Sequence, residues 1–272
     1  MSGPDYASEI PLTVRYHREA IDKIIQCVEQ ATYCAVLGPR LCGKTVLLRY
    51  VEQTLTESLG WTCLYVDLKQ ISASTQANFF ADLISQTAQL IHQQTGQVLP
   101  QPELFLASSA VFRGFLMESL ESLHLDLVLI VDSLDVIPTD LAQALLTCLR
   151  AAYMDQQSID YNLIVVVSGA LSLATLTVGE SSPFRGIASR VFVGDLSEDQ
   201  SRALIAECLE TKEMSYTQQA QQRLLDATSG DTYLIRQLCQ RCVEVSDQKP
   251  LPRLGARTVN RVTREFLRHD VY

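Results

Sequence analysis

One segment of the 272-residue chain has residue types and a spacing suited to holding phosphate groups. It fits the pattern GxxxxGK[ST] and consists of Gly38, Pro39, Arg40, Leu41, Cys42, Gly43, Lys44 and Thr45. Glycines let such a loop curl until its N–H groups point at phosphate oxygens, and the helix that follows directs its positive end there. The lysine then reaches the β- and γ-phosphates and the threonine hydroxyl ligates Mg²⁺. Val46 completes the predicted nucleotide-binding set, and a chance glycine turn before a helix is the competing interpretation.

A carboxylate that ends a second apolar run is the other half of this chemistry. Asp132 follows the apolar residues 127–131, so we expect it at the carboxyl edge of a buried strand, where open α/β sheets bind ligands. It would hold Mg²⁺ with Thr45, directly or through water, or else cap a turn. The next residue is Ser133, where hydrolysing ATPases often carry Glu. Asp135 could orient the attacking water, although a solvated turn or cap is an equal alternative.

The elements that must position these residues alternate between two types. Short apolar runs typical of buried strands lie at residues 34–37, 62–68, 127–131, 163–167 and 190–193. Between them, helical spacing covers residues 45–59, 76–94, 110–123 and 140–153. Strands that are apolar on both faces and alternate with helices predict a parallel sheet covered on both sides.

The pattern changes after Asp195. Ser197 is followed by two acidic residues, which is typical of a helix start, and helical periodicity continues to Val245 without another strand-like run. Pro250 and Pro252 precede a final helix predicted near residues 259–267. We therefore predict two domains, an α/β nucleotide-binding domain at 1–195 and an all-helical lid at 196–272.

Composition excludes several classes of protein. Hydrophobic residues make up 47% of the chain, which excludes wholesale disorder, and 31 acidic against 22 basic residues give a net charge of −9. This balance disfavours nucleic acid or an anionic membrane as a partner, although a local basic patch can survive it. The uncharged stretch 161–179 is too polar for a membrane span. Five arginines near the end of the sequence are candidates for a modest basic face: Arg253, Arg257, Arg261, Arg264 and Arg268.

Eight cysteines are scattered through a chain that is long enough to fold without disulfides. Reduced thiols in a cytoplasmic protein are the favoured interpretation over a disulfide framework. Cys239 and Cys242 form a CxxC, but no second pair has zinc-finger spacing, so packing is favoured over metal binding. The N-terminus carries no secretory signal pattern.

Several motifs together resemble the AAA-like branch of the STAND signal-transduction ATPases, within the AAA+/ASCE P-loop superfamily. The phosphate loop is specific for the superfamily, whereas the segment Ser-Gly-Asp-Thr-Tyr-Leu-Ile-Arg-Gln-Leu-Cys at 229–239 resembles the lid helix of this branch. The resemblance covers residues 11–268. The other matching segments lie at 16–19, 34–48, 65–68, 79–84 and 182–184.

The resemblance implies a five-stranded sheet of order 5-1-4-3-2 with ATP or ADP bound between it and a helical lid. It places Ser168 at the sensor position near the γ-phosphate, with a strand-end serine that makes a local turn bond as the alternative. Arg185 and Arg190 take the places of candidate arginine fingers, where surface salt bridges are the competing role. Tyr16 and Arg18 would flank the adenine, unless they are a core tyrosine and a helix cap. Thr232 replaces a proline that packs on adenine in the family.

Three functions fit these features. The first is a nucleotide-gated signalling or assembly switch with slow, Mg²⁺-dependent ATP hydrolysis, acting through a protein partner or through self-assembly. The second is a pseudo-ATPase that uses bound nucleotide as a structural ligand. The third, a DNA-associated AAA+ remodeller, is disfavoured by the net charge.

Overall fold

The structure is a computed structural model that describes residues 12–72, 74–179, 182–246 and 253–269. Its contacts divide the chain into two compact units. The first contains His17–Pro39 and Lys44–Val193. The second contains the chain from Gly194 onward, together with helix α1 Leu12–Tyr16 and the loop residues Arg40–Gly43. The division into domains at residues 1–195 and 196–272 stays a prediction.

The first unit is built on a five-stranded sheet in which every pairing is parallel. Its strands are β1 Tyr33–Leu37, β2 Thr62–Asp67, β3 Leu127–Asp132, β4 Leu163–Gly169 and β5 Ala188–Phe192. The order β2-β3-β4-β1-β5 confirms the order implied by the family resemblance. Every residue of β1, β3 and β4 is buried, as expected for a sheet covered on both faces.

Helices follow the strands as the sequence predicts. They are α2 Arg18–Glu29, α3 Lys44–Gln53, α4 Gln76–Thr95, α5 Ser109–Leu123, α6 Thr139–Asp155 and the short α7 Ala174–Val178. Thr75 and Ser108 accept hydrogen bonds from backbone N–H groups in the first turns of α4 and α5, which explains where these helices start. The helix predicted over 45–59 differs, because α3 ends at Gln53 and continues as a π-helical turn at Thr54–Ser58.

The second unit has its own apolar core, with Leu204, Leu224 and Leu238 among the buried residues. Its helices are α1 Leu12–Tyr16, α8 Glu198–Glu210, α9 Gln218–Thr228, α10 Thr232–Ser246 and α11 Ala256–His269. Ser197 forms a capping box with Gln200, which confirms the predicted helix start. Pro250 and Pro252 lie outside the described residues.

One feature of the second unit departs from the all-helical prediction. β6 Ser215–Tyr216 pairs in parallel with β7 Arg253–Leu254. Two residues are too short a run to produce a strand-like pattern in the sequence.

All eight cysteines are thiols, and Cys239 and Cys242 are buried in the helical core. In the described residues, no group of three or more His, Cys, Asp or Glu side chains could hold a metal ion. Nor does any helix among them combine the length and apolarity needed to cross a membrane.

Candidate nucleotide site

The predicted phosphate loop joins the end of β1 to the start of α3. The Gly38 N–H donates to the carbonyl of Gly169 at 3.3 Å, which ties the loop to the end of β4. Leu41 and Gly43 have positive φ angles, 65° and 98°. Alternation of left- and right-handed backbone turns successive N–H groups toward one side, and this is the geometry by which a backbone binds anions.

Lys44 is the first residue of α3, and its ammonium group is turned back onto the loop. Nζ donates to the carbonyl oxygens of Gly38 at 3.0 Å and Pro39 at 2.6 Å. An ammonium group has three donors and a flexible stem, so it can exchange carbonyl partners for phosphate oxygens without a change in the backbone. The predicted role of Lys44 is therefore compatible with its position.

Asp132, the last residue of β3, is the hub of a hydrogen-bond network. Its Oδ2 accepts from the hydroxyl of Thr45 at 2.7 Å and from that of Tyr65 at 2.8 Å. Its Oδ1 accepts from the hydroxyl of Ser168. The Ser168 Oγ in turn accepts from the backbone N–H of Ser133 at 3.2 Å. The structure thus brings together Thr45 and Asp132, which the sequence predicts at a magnesium ion, and Ser168, for which the family resemblance implies a sensor role.

These hydroxyls keep Asp132 ionised although only 1% of the residue is exposed. Burial by itself raises the pKa of this carboxyl group, because it penalises the charged form. Hydrogen bonds from Ser168, Thr45 and Tyr65 outweigh that effect and hold the pKa below its usual value. A buried negative charge is therefore available at the edge of the sheet.

The oxygen donors of Thr45 and Asp132 fit a magnesium ion. Mg²⁺ is usually held by one or two protein oxygens together with phosphate oxygens and water, rather than by a cage of side chains. Both Asp132 oxygens already accept hydroxyl hydrogens, and Thr45 directs its own hydrogen at the carboxylate. This arrangement leaves the Thr45 oxygen able to face a metal and favours contact of Asp132 with it through water.

The residues after Asp132 turn sharply away from the sheet. Ser133 is buried and has a left-handed backbone with φ of 66°, and Leu134–Val136 then form a 3₁₀ turn. Asp135 lies in this turn, and its Oδ1 accepts from the N–H of Ala170 at 3.1 Å. One oxygen of Asp135 therefore anchors the loop after β4, which matches the turn-capping alternative. A role in orienting water stays a prediction.

Two further residues of this site, Tyr65 and Asp67, were not assigned from the sequence. Tyr65 donates to Asp132, and the Arg49 guanidinium carbon lies 3.4 Å from its ring centroid. Asp67 ends β2 in register with Asp132 on the neighbouring strand. Because residues two apart in a strand share a face, Asp67 lies on the side from which Tyr65 reaches Asp132. The signal that could have found Asp67 is a carboxylate directly after an apolar run, the same as for Asp132.

Residues 17–238 match the model of a protein family, ATPase_2, which is described as an ATPase domain predominantly from Archaea. The chain belongs to this family. It is a P-loop ATPase domain of the AAA+ type, as the phosphate loop, the Asp132 strand and the sheet order indicate. No curated protein matches the chain in sequence.

Solved structures share the fold of this ATPase domain at low sequence identity. The Walker-type ATPase of Pyrococcus abyssi is 19% identical with a TM-score of 0.61, covering 93% of this chain and 71% of the other. Cdc6p from Pyrobaculum aerophilum is 16% identical with a TM-score of 0.66, covering 97% and 69%. The Aeropyrum pernix ORC1 protein, solved in complex with DNA, is 16% identical with a TM-score of 0.60, covering 98% and 68%.

Three other predicted site residues of the first unit are exposed arginines. Arg18 is exposed at the start of α2. Arg185 is exposed in the turn before β5, where the side chain of Arg150 donates to its carbonyl oxygen at 3.0 Å. Arg190 is exposed in the middle of the edge strand β5, two residues before that strand ends. Their roles at the γ-phosphate and the adenine stay predictions.

Tyr16 and Thr232 belong to the second unit. The Tyr16 hydroxyl donates to the Glu207 carboxylate of α8 at 3.5 Å. The backbone carbonyl oxygen of Tyr16 accepts from the Gln200 side chain at 3.1 Å. Thr232 is the first residue of α10 and is 5% exposed, and its hydroxyl has no hydrogen-bond partner within the described ranges. A role of either residue at the adenine stays a prediction.

Proposed function

We propose that this domain binds ATP with Mg²⁺ and hydrolyses it slowly, as a nucleotide-dependent switch of the AAA-like STAND type. The observation that carries the proposal is the Asp132 network. An ionised, buried carboxylate is bonded to the hydroxyl of Thr45, the residue that follows the phosphate-loop lysine. Nothing in the packing of a sheet requires a buried charge at its carboxyl edge, whereas nucleotide binding does.

In the proposed ATP complex, the backbone N–H groups of the phosphate loop and the ammonium group of Lys44 hold the β- and γ-phosphates. Thr45 would ligate Mg²⁺, while Asp132 fixes the Thr45 hydroxyl and accepts from a water on the metal. The ion would neutralise charge on the phosphate oxygens. Ser168 would keep Asp132 in place and, as a sensor residue, come close to the γ-phosphate.

Slow turnover follows from what stands beside Asp132. Ser133 has no carboxylate to orient the attacking water, and positioning does most of the work in phosphoryl transfer. Asp135 holds the Ala170 N–H with one oxygen, and Asp67 holds the Lys69 N–H with one oxygen at 3.1 Å. Either carboxylate is a candidate for the group that orients the attacking water. We therefore expect hydrolysis below ~1 s⁻¹, the low end of common turnover.

The switch assignment rests on the lid-like segment 229–239, and the switch would act through self-assembly or through a protein partner in the cytoplasm. The missing glutamate at Ser133 equally favours a pseudo-ATPase, in which nucleotide is only a structural ligand. The DNA bound by the Aeropyrum pernix ORC1 protein does not transfer to this chain, because 16% identity carries only the fold.

Calorimetric titration with ATP and Mg²⁺ tests the binding step. Lys44→Ala removes charge-assisted hydrogen bonds worth about 1.5–3 kcal/mol each, so ATP affinity should fall by about 100-fold or more. Lys69→Ala is a matched control, because Lys69 is an exposed lysine on the same unit and has no assigned role. Equal ATP affinity of a folded Lys44→Ala variant and the native chain would refute the site.

Steady-state phosphate release separates the switch from the pseudo-ATPase. Slow phosphate release by the native chain that stops in Lys44→Ala supports the switch. A native rate no higher than that of Lys44→Ala supports the pseudo-ATPase. Asp135→Asn and Asp67→Asn, assayed in parallel, identify which carboxylate supports the residual reaction. Fast hydrolysis that survives both changes would contradict the proposed layout.

A further inference from the structure

The last helix of the second unit carries a line of four arginines on one face. Arg257, Arg261, Arg264 and Arg268 follow one another at intervals of four, three and four residues in α11. At 3.6 residues per turn, these positions fall within about 60° of arc and extend over about 16 Å of helix. All four side chains are exposed. We call this set the arginine stripe.

The four arginines of the stripe are unpaired within the part of the chain that the structure describes. None of its four side chains makes a hydrogen bond or an ion pair with any residue in the described ranges. Two other arginines of the unit are paired, Arg202 with Glu198 at 2.6 Å and Arg15 with Glu207 at 3.1 Å. Glu265 is the one acidic residue in the sequence of α11. It lines a groove of about 310 Å³ with Asn260 and the stripe.

The opposite face of α11 fixes the stripe in place. Val259, Val262 and Phe266 are buried in the core of the unit, so the helix cannot offer an apolar face to a membrane. No apolar or aromatic side chain lies within the stripe, although Leu267 is exposed beside it. Protein interfaces centre on apolar and aromatic anchors, and single-stranded nucleic acids are bound by base stacking, so neither is favoured here.

We propose that the arginine stripe binds the phosphate backbone of double-stranded nucleic acid. Guanidinium groups present paired donors that match phosphate oxygens, and a duplex strand offers a phosphate every 3.4 Å of axis along the length of the stripe. The net charge of −9 disfavours such a partner only as an average over the chain. The charged side chains nearest to a bound duplex would be these four arginines and the single Glu265, and salt screens the carboxylates that lie farther away.

Duplex DNA binding by the full chain, measured by fluorescence anisotropy between 50 and 200 mM salt, tests this proposal. Four phosphate contacts give a slope of log affinity against log salt of about −3.6, or an affinity loss of about 150-fold over that range. The Arg261→Gln/Arg264→Gln variant should reduce the slope to about −1.8 and the loss to about 12-fold. Arg202→Gln/Arg223→Gln removes two arginines of the same unit outside the stripe and should leave the slope unchanged.

Three results would overturn the proposal. One is an equal change in slope for the two double variants, which would indicate a general charge effect. Another is an affinity for a polyglutamate chain or for a single-stranded oligonucleotide that equals the affinity for duplex DNA, when all are compared at equal charge concentration. The third is no DNA binding at 50 mM salt by a folded chain. ATP affinity is measured in a separate experiment. The DNA-binding result therefore does not depend on whether the proposed ATP site is correct.

Discussion

Replacing Tyr65 by Phe isolates one bond of the Asp132 network. The variant keeps the ring over which Arg49 lies and removes only the hydroxyl that donates to Asp132 at 2.8 Å. Hydrogen bonds to charged groups contribute about 1.5–3 kcal/mol, and Tyr65 and Asp132 are 5% and 1% exposed, so solvent screens this bond little. We therefore expect the free energy of unfolding of the first unit to fall by about 1.5–3 kcal/mol at pH 7.

Urea denaturation followed by the fluorescence of Trp61 measures this change. Trp61 is the chain's one tryptophan and directly precedes β2, the strand that carries Tyr65, so its signal reports on the first unit. The same substitution in an Asp132→Ala background completes a double-mutant cycle. The cycle should give a coupling energy of about 1.5–3 kcal/mol between the two residues.

The effect of Tyr65→Phe should also depend on pH in a defined direction. The folded-state pKa of Asp132 is depressed, so its stabilising contribution is present above the unfolded-state pKa and is lost as pH falls through the folded-state pKa. Loss of the Tyr65 bond raises that folded-state pKa, and the variant should lose stability at a higher pH than the native chain. A coupling below about 0.5 kcal/mol, or a stability difference that grows from pH 5 toward pH 3, would refute the reasoning.

Three further changes test other parts of the molecule. Gly230 has φ of 90°, and a Cβ there would lie 2.5 Å from the Leu196 carbonyl oxygen. Gly230→Ala should therefore destabilise the second unit by about 2 kcal/mol or more in thermal unfolding. Gly255→Ala is the control and should not destabilise it, because a Cβ at Gly255 would have nothing within 4 Å. Ser133→Glu should speed phosphate release if the remaining geometry is competent, and an unchanged rate with intact ATP binding would count against the missing glutamate as the cause of slow turnover. Asp132→Asn should weaken the Mg²⁺ dependence of ATP affinity in calorimetry, and native-like dependence would exclude a role of this carboxylate at the metal.

The sheet and the centre of the site could be predicted because both leave local signals. Continuous β-branched runs such as residues 163–167 mark strands that are buried on both faces, and the spacing of the phosphate loop fixes Lys44 and Thr45. Asp132 was identified because a carboxylate directly after such a run lies at the ligand edge of a parallel sheet. The same reasoning applies to Asp67, which also follows an apolar run. Asp67 was not assigned to the site because it belongs to no known functional motif.

The remaining contacts could not be predicted because they depend on register and on short-range backbone geometry. Tyr65 reaches Asp132 only because β2 pairs with β3 in a register that sets Asp67 opposite Asp132. The left-handed backbone of Ser133 directs Asp135 toward the Ala170 N–H, and no sequence pattern predicts that angle. β6 and β7 lie just before α9 and α11 in the chain and pair over two residues, too few to leave a periodic signal in the sequence.

These geometries separate binding from catalysis in the proposed function. Thr45, Tyr65 and Ser168 approach Asp132 from α3, β2 and β4, so three elements hold its carboxylate where a metal-bound water would meet it. The water-orienting position has no equivalent support, because Ser133 is short and Asp135 is partly committed to Ala170. In the proposed function, binding would therefore depend on this network and hydrolysis on a side chain that has two tasks. A domain of this construction would hold ATP far longer than an efficient motor does, as a switch requires.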